Sequence, residues 1–307
     1  MKLHAITYFN ELVNSRSIRQ AAENLGVSPT AVIRQLENLE HYVGAPLLIR
    51  GARGIMLTAA GESLAVHSKN IIRDLENAKQ VIDDLRGLKR GSVSIHINGA
   101  AINTILAPAL AEFYKLYPAV SIEVTVSSAE EAVNAVINGN TDIAATMFSS
   151  SDPLMDIRFK FPVYHEVVVS VDHPLAKHDE ISLDDIRQYP IAMPNKSFGI
   201  RRSFEKRQRE AGLEPVEPTF TTSSLELQKE LALRQAAVLI LPAMSVIREI
   251  DSHDLVVRPF QPQSVISTEL QISRAKNVAP SFAAAKLTDF LEEFLPAQAR
   301  SMHNKTD

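Results

Sequence analysis

A chain of 307 residues, 45% hydrophobic and 22% charged, is long enough for two or three compact units and has the balance of an ordinary globular protein. It contains no cysteine, which excludes disulfides and thiolate metal sites and fits a reducing, cytoplasmic setting. The net charge of −4 is unevenly spread: residues 1–90 carry 12 Lys and Arg against 9 Asp and Glu, and the rest carry 20 against 27, so a mildly basic N-terminal part precedes an acidic remainder.

The opening MKLHAITYFN has neither the charged start nor the apolar core of a secretory leader, and no later run is long enough to span a membrane. Leu3, Ile6, Phe9, Leu12 and Val13 instead form the stripe of an amphipathic first helix, with Phe9 and Leu12 in a core. Ser17 followed by Gln20 is a capping-box start for a short helix over residues 20–25, ended by Gly26. Ser28 caps a second helix that opens at Pro29, where a missing amide costs nothing, and Gly44 stops it. Within it Ala31, Val32, Leu36, Leu39 and Val43 face a core, while Thr30, Ile33, Arg34 and Glu37 face elsewhere. Two capped helices joined by a glycine-containing turn make a helix-turn-helix, whose second helix enters the DNA major groove. Apolar runs at 47–50 and 55–58 flank Gly51, Ala52, Arg53 and Gly54, which reads as a β-wing presenting Arg50 and Arg53 to phosphates or a narrow minor groove.

From Thr58 to about Leu88 no proline intervenes, which predicts one helix of about 45 Å at about 1.5 Å per residue. Leu64, Ser68, Ile71, Leu75, Ala78, Ile82 and Leu85 alternate spacings of four and three, a heptad seam that favours self-association over a single amphipathic helix lying on its own domain. The run Lys89, Arg90, Gly91, Ser92 marks a boundary. Beyond it strands at 93–97, 120–126, 142–147, 167–171, 191–193, 218–222, 238–241 and 268–273 alternate with helices at 102–117, 130–138, 201–211, 225–234 and 280–295. That alternation predicts a two-lobed α/β domain with a largely parallel sheet.

Strand ends in such lobes open onto helix N-termini, so the candidate ligand loops are residues 98–104, 127–128, 146–148, 197–202 and 221–224. Within them Asn103, Thr104, Ser128, Phe198, Arg202 and Thr222 are the candidate contacts, and a small carboxylate is the favoured ligand because arginine and helix N-termini both suit it. No GxSxG, P-loop, GxGxxG or HExxH pattern occurs, so neither catalysis nor a cofactor is expected. His173 and His178 lie five apart without a second ligand pair, and no metal site is expected there.

The segment AAENLGVSPTAVIRQLENLEHYVGAPLLIRGARGIMLTAAG resembles the winged-helix domain of LysR-type transcriptional regulators, matching at Ala21, Ala22, Leu25, Ser28, Ala31, Arg34, Gln35, Leu39, Glu40, Gly44, Leu47, Arg50, Arg53, Leu57, Thr58 and Gly61. It departs from the family pattern at Pro29, one position early, at Ile33, where a small serine is common, and at Leu48, where phenylalanine is usual. ILAPALAEFYKLYPAVSIEV, INGNTDIAA and VVSVDHPLAKHDEISLDDI resemble the effector-binding half of the same family, which shares its fold with type 2 periplasmic-binding proteins. The resemblance implies a multidomain chain: a mainly α winged helix-turn-helix at residues 1–58, a linker and dimerisation helix at 59–88, and an effector domain at 91–307. Lobe 1 of that domain would comprise about 91–161 and 266–300, and lobe 2 about 162–265. It further implies a ligand-responsive regulator acting as a homodimer or homotetramer on double-stranded promoter DNA, with RNA polymerase as a partner. Thr30, Ile33 and Arg34 would contact bases, Arg50 and Arg53 would meet phosphate or the minor groove, and Ser28 and Pro29 would belong to the same DNA-binding set. The alternative is a small-molecule-binding protein or enzyme of the periplasmic-binding fold.

Overall fold

Residues 3–51, 54–85, 91–276 and 278–306 are described by a computed structural model. They form two compact units, one built on residues 3–85 and the other essentially on residues 91–306.

In the first unit α1 (Leu3–Ser15) buries Ala5, Ile6, Phe9 and Leu12. α2 (Ile18–Leu25) starts two residues earlier than its sequence suggests, with the Ser17 hydroxyl accepting from the Gln20 amide at 3.4 Å. The expected capping box is half made, because the Gln20 side chain donates instead to Asn24 Oδ1 at 3.0 Å. Gly26, at φ 65°, ends α2 in the left-handed conformation that glycine adopts without penalty. α3 (Pro29–Val43) begins on Ser28, whose hydroxyl accepts from the Ala31 amide at 3.3 Å. Val32 and Leu39 are buried and Leu36 packs beside them, but Val43 is 41% exposed: the last turn of α3 runs past the core it was expected to cover. β1 (Leu48–Gly51) and β2 (Gly54–Leu57) pair antiparallel from Leu48 with Leu57 to Gly51 with Gly54. Leu48 packs against both small cores of this unit, filling the position where an aromatic ring was expected.

α4 (Ala59–Leu85) is anchored at its start, where the Thr58 hydroxyl accepts from the Gly61 amide at 3.0 Å and donates to the Pro46 carbonyl at 2.7 Å. Its heptad stripe divides. Leu64 packs on the first unit's own core and Ser68 is fully buried, donating to Asn10 Oδ1 at 2.5 Å. Ile71, Leu75, Ala78 and Ile82, further along, are exposed.

The second unit begins with β3 (Gly91–Ile97), and Lys89 and Arg90 of the expected boundary lie outside the described residues. A 3₁₀ turn (Gly99–Ala101) and a π turn (Ile102–Leu106) precede α5 (Ala107–Leu116), so the helix expected over residues 102–117 is regular only in its second part. Pro108 is the physical reason: it has no amide for the carbonyl four residues back, and the Ala107 amide reaches the Ile102 carbonyl instead. β4 (Val120–Val126), α6 (Ala129–Ile137) and β5 (Ile143–Met147) follow. β6 (Met155–Ser170) is a 16-residue strand of which only the last part read as a strand in the sequence. Then come α7 (Leu183–Ile186), β7 (Ala192–Met193), α8 (Gly199–Glu210), β8 (Phe220–Thr221), α9 (Leu225–Leu233), β9 (Leu239–Leu241), α10 (Ile247–Asp251), β10 (Leu255–Arg258), β11 (Ile266–Ala275) and α11 (Phe282–Thr306).

β3 lies parallel to β4 and β5, as the alternation predicts, but β11 returns antiparallel between β5 and β6, so the sheet is mixed. One core gathers β3, α5, β5, β11 and α11 around Phe113, Leu270 and Leu291. β6 then leaves β11 and pairs with β9 and β10, where Val167 and Val169 bury one face and Val168 the other. An apolar run buried on both faces is what a central strand between two layers requires. These are the two lobes, and β6 belongs to both.

Candidate DNA interface and ligand cleft

On the first unit the ridge of α3 that turns away from the core carries Thr30, Arg34 and Asn38 at helical spacing, all exposed. A polar groove runs along it, lined by Ser28, Thr30, Arg34, Gln35, Asn38, His41 and Tyr42 with Ala5, Ala31 and Leu39. Among the described residues Arg34 forms no ion pair, so its guanidinium is available to a partner. Ser28 and Pro29 are exposed at the start of the helix, and Ile33 is half-buried. Arg50 lies on β1 opposite Ile55, and Arg53 lies outside the described residues. Glu40 joins α3 to the ribbon: its Oε1 accepts from the Leu47 amide at 2.7 Å and the Leu48 amide at 3.3 Å, holding the entry to β1 against α3. Gln35 and Glu40 entered the sequence reading only as positions of the resemblance, and Asn38 was not singled out, although the i, i+4 spacing from Thr30 through Arg34 points to it.

In the second unit a cleft opens between the lobes. Asn98, Gly99, Ala100, Val126, Met147 and Phe148 line it from the first lobe. His165 enters from β6, and Pro194, Phe198, Ile200, Ser223, Leu225, Gln228, Ile240 and Leu241 complete the wall. Four of the five loops expected from strand ends therefore meet here, whereas of the six residues chosen within them only Phe198 lines the cleft. Asn103 and Thr104 sit in the π turn, half-buried. Ser128 is buried as the cap of α6, its hydroxyl accepting from the Glu131 amide at 3.3 Å and donating to Glu131 Oε2 at 2.8 Å. The Ser128 amide, then its hydroxyl, hold the Glu131 carboxyl below its ordinary range. Thr222 is half-buried and accepts at Oγ1 from the Ser224 amide at 3.1 Å, while its carbonyl accepts from Gln228 Nε2 at 2.9 Å. Arg202 is exposed and donates to the Lys196 and Ser197 carbonyls at 2.9 and 2.8 Å.

The neighbouring Arg201 is the buried one, and it is committed elsewhere: Nε meets Glu205 Oε1 at 2.5 Å and Nη2 meets Glu217 Oε2 at 2.7 Å. Burial alone would raise the Glu205 carboxyl, but the Arg201 hydrogen bond and charge, with Lys196 and Arg209, hold it below the ordinary range. Neither arginine reaches the cleft. What does reach it is His165, 5% exposed, its ring centroid 4.9 Å from that of Phe148 and its Nδ1 without a partner among the described residues. Burial pushes its pKa down to about 3, so the ring is neutral at physiological pH. His165 sits at a junction: it pairs with Ile266 at the end of β11, and the next residue, Glu166, pairs with Leu241 of β9. His173 is a local cap, its Nδ1 accepting from the Leu175 amide at 3.2 Å.

Residues 3–62 match the bacterial regulatory helix-turn-helix protein, lysR family, and residues 86–296 match the LysR substrate binding domain. The chain belongs to the LysR family of transcriptional regulators. Among its relatives is the HTH-type transcriptional activator CmpR of Synechocystis sp., 30% identical over 207 residues that cover 66% of this chain and 67% of the relative. ArgP from Mycobacterium tuberculosis has the same fold at a TM-score of 0.72 and 18% identity, covering 94% of this chain and 95% of its own. Full-length CbnR, solved in complex with its target DNA, superposes at a TM-score of 0.65 and 19% identity, covering 95% of this chain and 99% of its own. This LysR-family chain is thus a ligand-responsive, DNA-binding regulator of transcription, and a stand-alone binding protein or enzyme of the same two-lobed fold is the less favoured reading. Among its described residues no helix is long and apolar enough to cross a membrane.

Proposed function

We propose that this regulator works in the cytoplasm as a homodimer or homotetramer, reading promoter DNA with α3 and the β1–β2 ribbon and taking its signal from a small molecule held between the lobes. In this reading residues 1–58 read DNA, residues 59–88 link and dimerise, and residues 91–307 sense, with lobe 1 at about 91–161 and 266–300 and lobe 2 at about 162–265. The observation that carries the DNA-reading assignment is the free polar ridge of α3, in which Thr30, Arg34 and Asn38 are exposed beside the ribbon that Glu40 holds in place. Arg34 and Thr30 address base edges, and Ile33 offers a methyl-bearing contact to a thymine C5-methyl where a serine would address a polar edge. Arg50 and Arg53 address phosphates or the minor groove, and Ser28 and Pro29 place the helix N-terminus at the backbone. Effector binding would shift the balance between lobe arrangements and so alter how the oligomer bends the promoter and meets RNA polymerase.

The test is a footprint of the purified full-length protein upstream of its own gene, followed by two variants. Arg34→Ala is expected to relax base selectivity, at about 1–3 kcal/mol for the bases it reads, whereas Arg53→Ala weakens binding to every sequence and flattens the salt dependence. Unchanged operator affinity and salt slope in both variants would remove these roles. Ile33→Ser is expected to change the base preferred at one operator position in a binding-site selection, and an unaltered consensus would rule out the methyl contact.

A further inference from the structure

The walls of the interlobe cleft say what kind of molecule fits. Its polar side chains are Asn98, Ser223, Gln228 and His165, and the rest of the lining is apolar, with the rings of Phe148 and Phe198 among it. None of the described residues lining it is charged. The two arginines nearest in sequence are spent on Glu205 and Glu217 and on loop carbonyls. His165 is more than nine-tenths buried in this wall, its ring lines the cleft, and its Nδ1, itself sealed from solvent, has no partner among the described residues. A neutral imidazole has one donor and one acceptor nitrogen and carries no charge to offset a ligand's.

A carboxylate entering this space would lose its hydration and meet no cation. The first turn of α9 is already capped by Ser224, which accepts from the Leu227 amide at 3.3 Å, and α8, opening at Phe198 without a side-chain cap, offers a carboxylate a helix dipole but no cation. Those same dipoles oppose an ammonium group, for which no carboxylate is at hand. We propose that the effector is a small, flat, uncharged molecule, aromatic or heteroaromatic, whose neutral donor–acceptor group pairs with the His165 imidazole while Phe148 and Phe198 contact its ring. An amide, lactam or ring N–H beside a carbonyl has this character. The inference rests on reading the cleft as the effector site, and it replaces the carboxylate favoured by the sequence because the arginine that suggested one does not line the cleft.

Three probes of nearly the same shape test it: benzamide, benzoate and benzylammonium, titrated calorimetrically into the full-length protein at pH 7.5. Benzamide is expected to bind at least tenfold more tightly than benzoate, with benzylammonium weakest, and His165→Phe is expected to raise the benzamide Kd at least tenfold. If His165→Phe does not fold, Phe198→Ala, on the loop entering α8, decides with the same expected loss. Benzoate binding as tightly as benzamide, no benzamide binding, or unchanged benzamide affinity in a folded His165→Phe protein overturns the proposal. The two levels of failure separate cleanly. Benzoate binding that both cleft variants weaken leaves the cleft as the effector site and removes only the uncharged class, whereas probe binding that neither variant alters removes the cleft reading itself.

Discussion

His165 ties protonation to folding. Its pKa is about 3 in the folded chain and about 6.5 when unfolded, so between these values the unfolded chain binds the extra proton and stability falls as the pH falls. Lowering the pH from 7.5 to 5.5 is therefore expected to remove about 1.4 kcal/mol that a His165→Phe protein keeps, measured as the difference between their urea unfolding free energies at the two pH values. Gly61 makes a different kind of demand. A Cβ built there would lie 2.0 Å from the Leu47 carbonyl oxygen, so the first turn of α4 and the chain entering β1 touch backbone to backbone. Gly61→Ala is expected to destabilise the N-terminal unit by about 1–3 kcal/mol, read as a lower unfolding midpoint, and to weaken operator binding because the ribbon moves with Leu47. Gly199 is held in the same way by Phe148, whose Cβ would lie 2.1 Å from an added methyl.

At the scale of elements, α4 divides its heptads between two tasks. Leu64 and Ser68 pack on their own unit, and Ile71, Leu75 and Ile82, which are 40%, 50% and 51% exposed, form a stripe that a second copy of the helix would cover. Burying each such side chain is worth about 1.5–3 kcal/mol, and a charge in the middle of the stripe opposes that gain in both copies. Leu75→Glu is expected to shift the protein to monomer in sedimentation velocity and to lower operator affinity, while leaving helix content unchanged because the side chain is exposed in the single chain. This stripe was legible because a helix repeat is local. So were the caps of α2 and α3, where Ser17, Gly26, Ser28 and Gly44 act on amides and carbonyls a few residues away. The first part of β6 was not legible, since Asp156, Arg158 and Lys160 face partners far along the chain and interrupt the apolar pattern. Arg158 pairs with Glu292, and Lys160 with Glu269 at 2.9 Å. The cleft shared that fate: strand ends marked the right loops, but His165 lies within that unread strand, and whether Arg201 or Phe198 turned inward depended on packing rather than spacing.

Across the whole molecule the charge is partitioned as the functions are. Residues 91–307 carry 20 Lys and Arg against 27 Asp and Glu, an excess that repels a phosphate backbone, so the N-terminal unit supplies the attraction to DNA. Operator affinity is expected to fall at least about 100-fold between 50 and 200 mM salt, as several counterions are released per oligomer, and a slope of log affinity on log salt near zero would contradict this. The acidic unit also carries the strand that the two lobes share. β6 changes partner from β11 to β9 between His165 and Glu166, and His165 is also the polar residue of that strand lining the cleft. If the cleft takes the effector as proposed, recognition and the change of strand partner share a residue, which would set an asymmetry in how such a regulator can diversify. Changes at Asn98, Ser223 or Gln228, on loops and a helix, would then retune which molecule is accepted. Changes at His165 would alter the molecule accepted and the strand crossing together, so a lineage acquiring a new inducer would have its easier route at the rim.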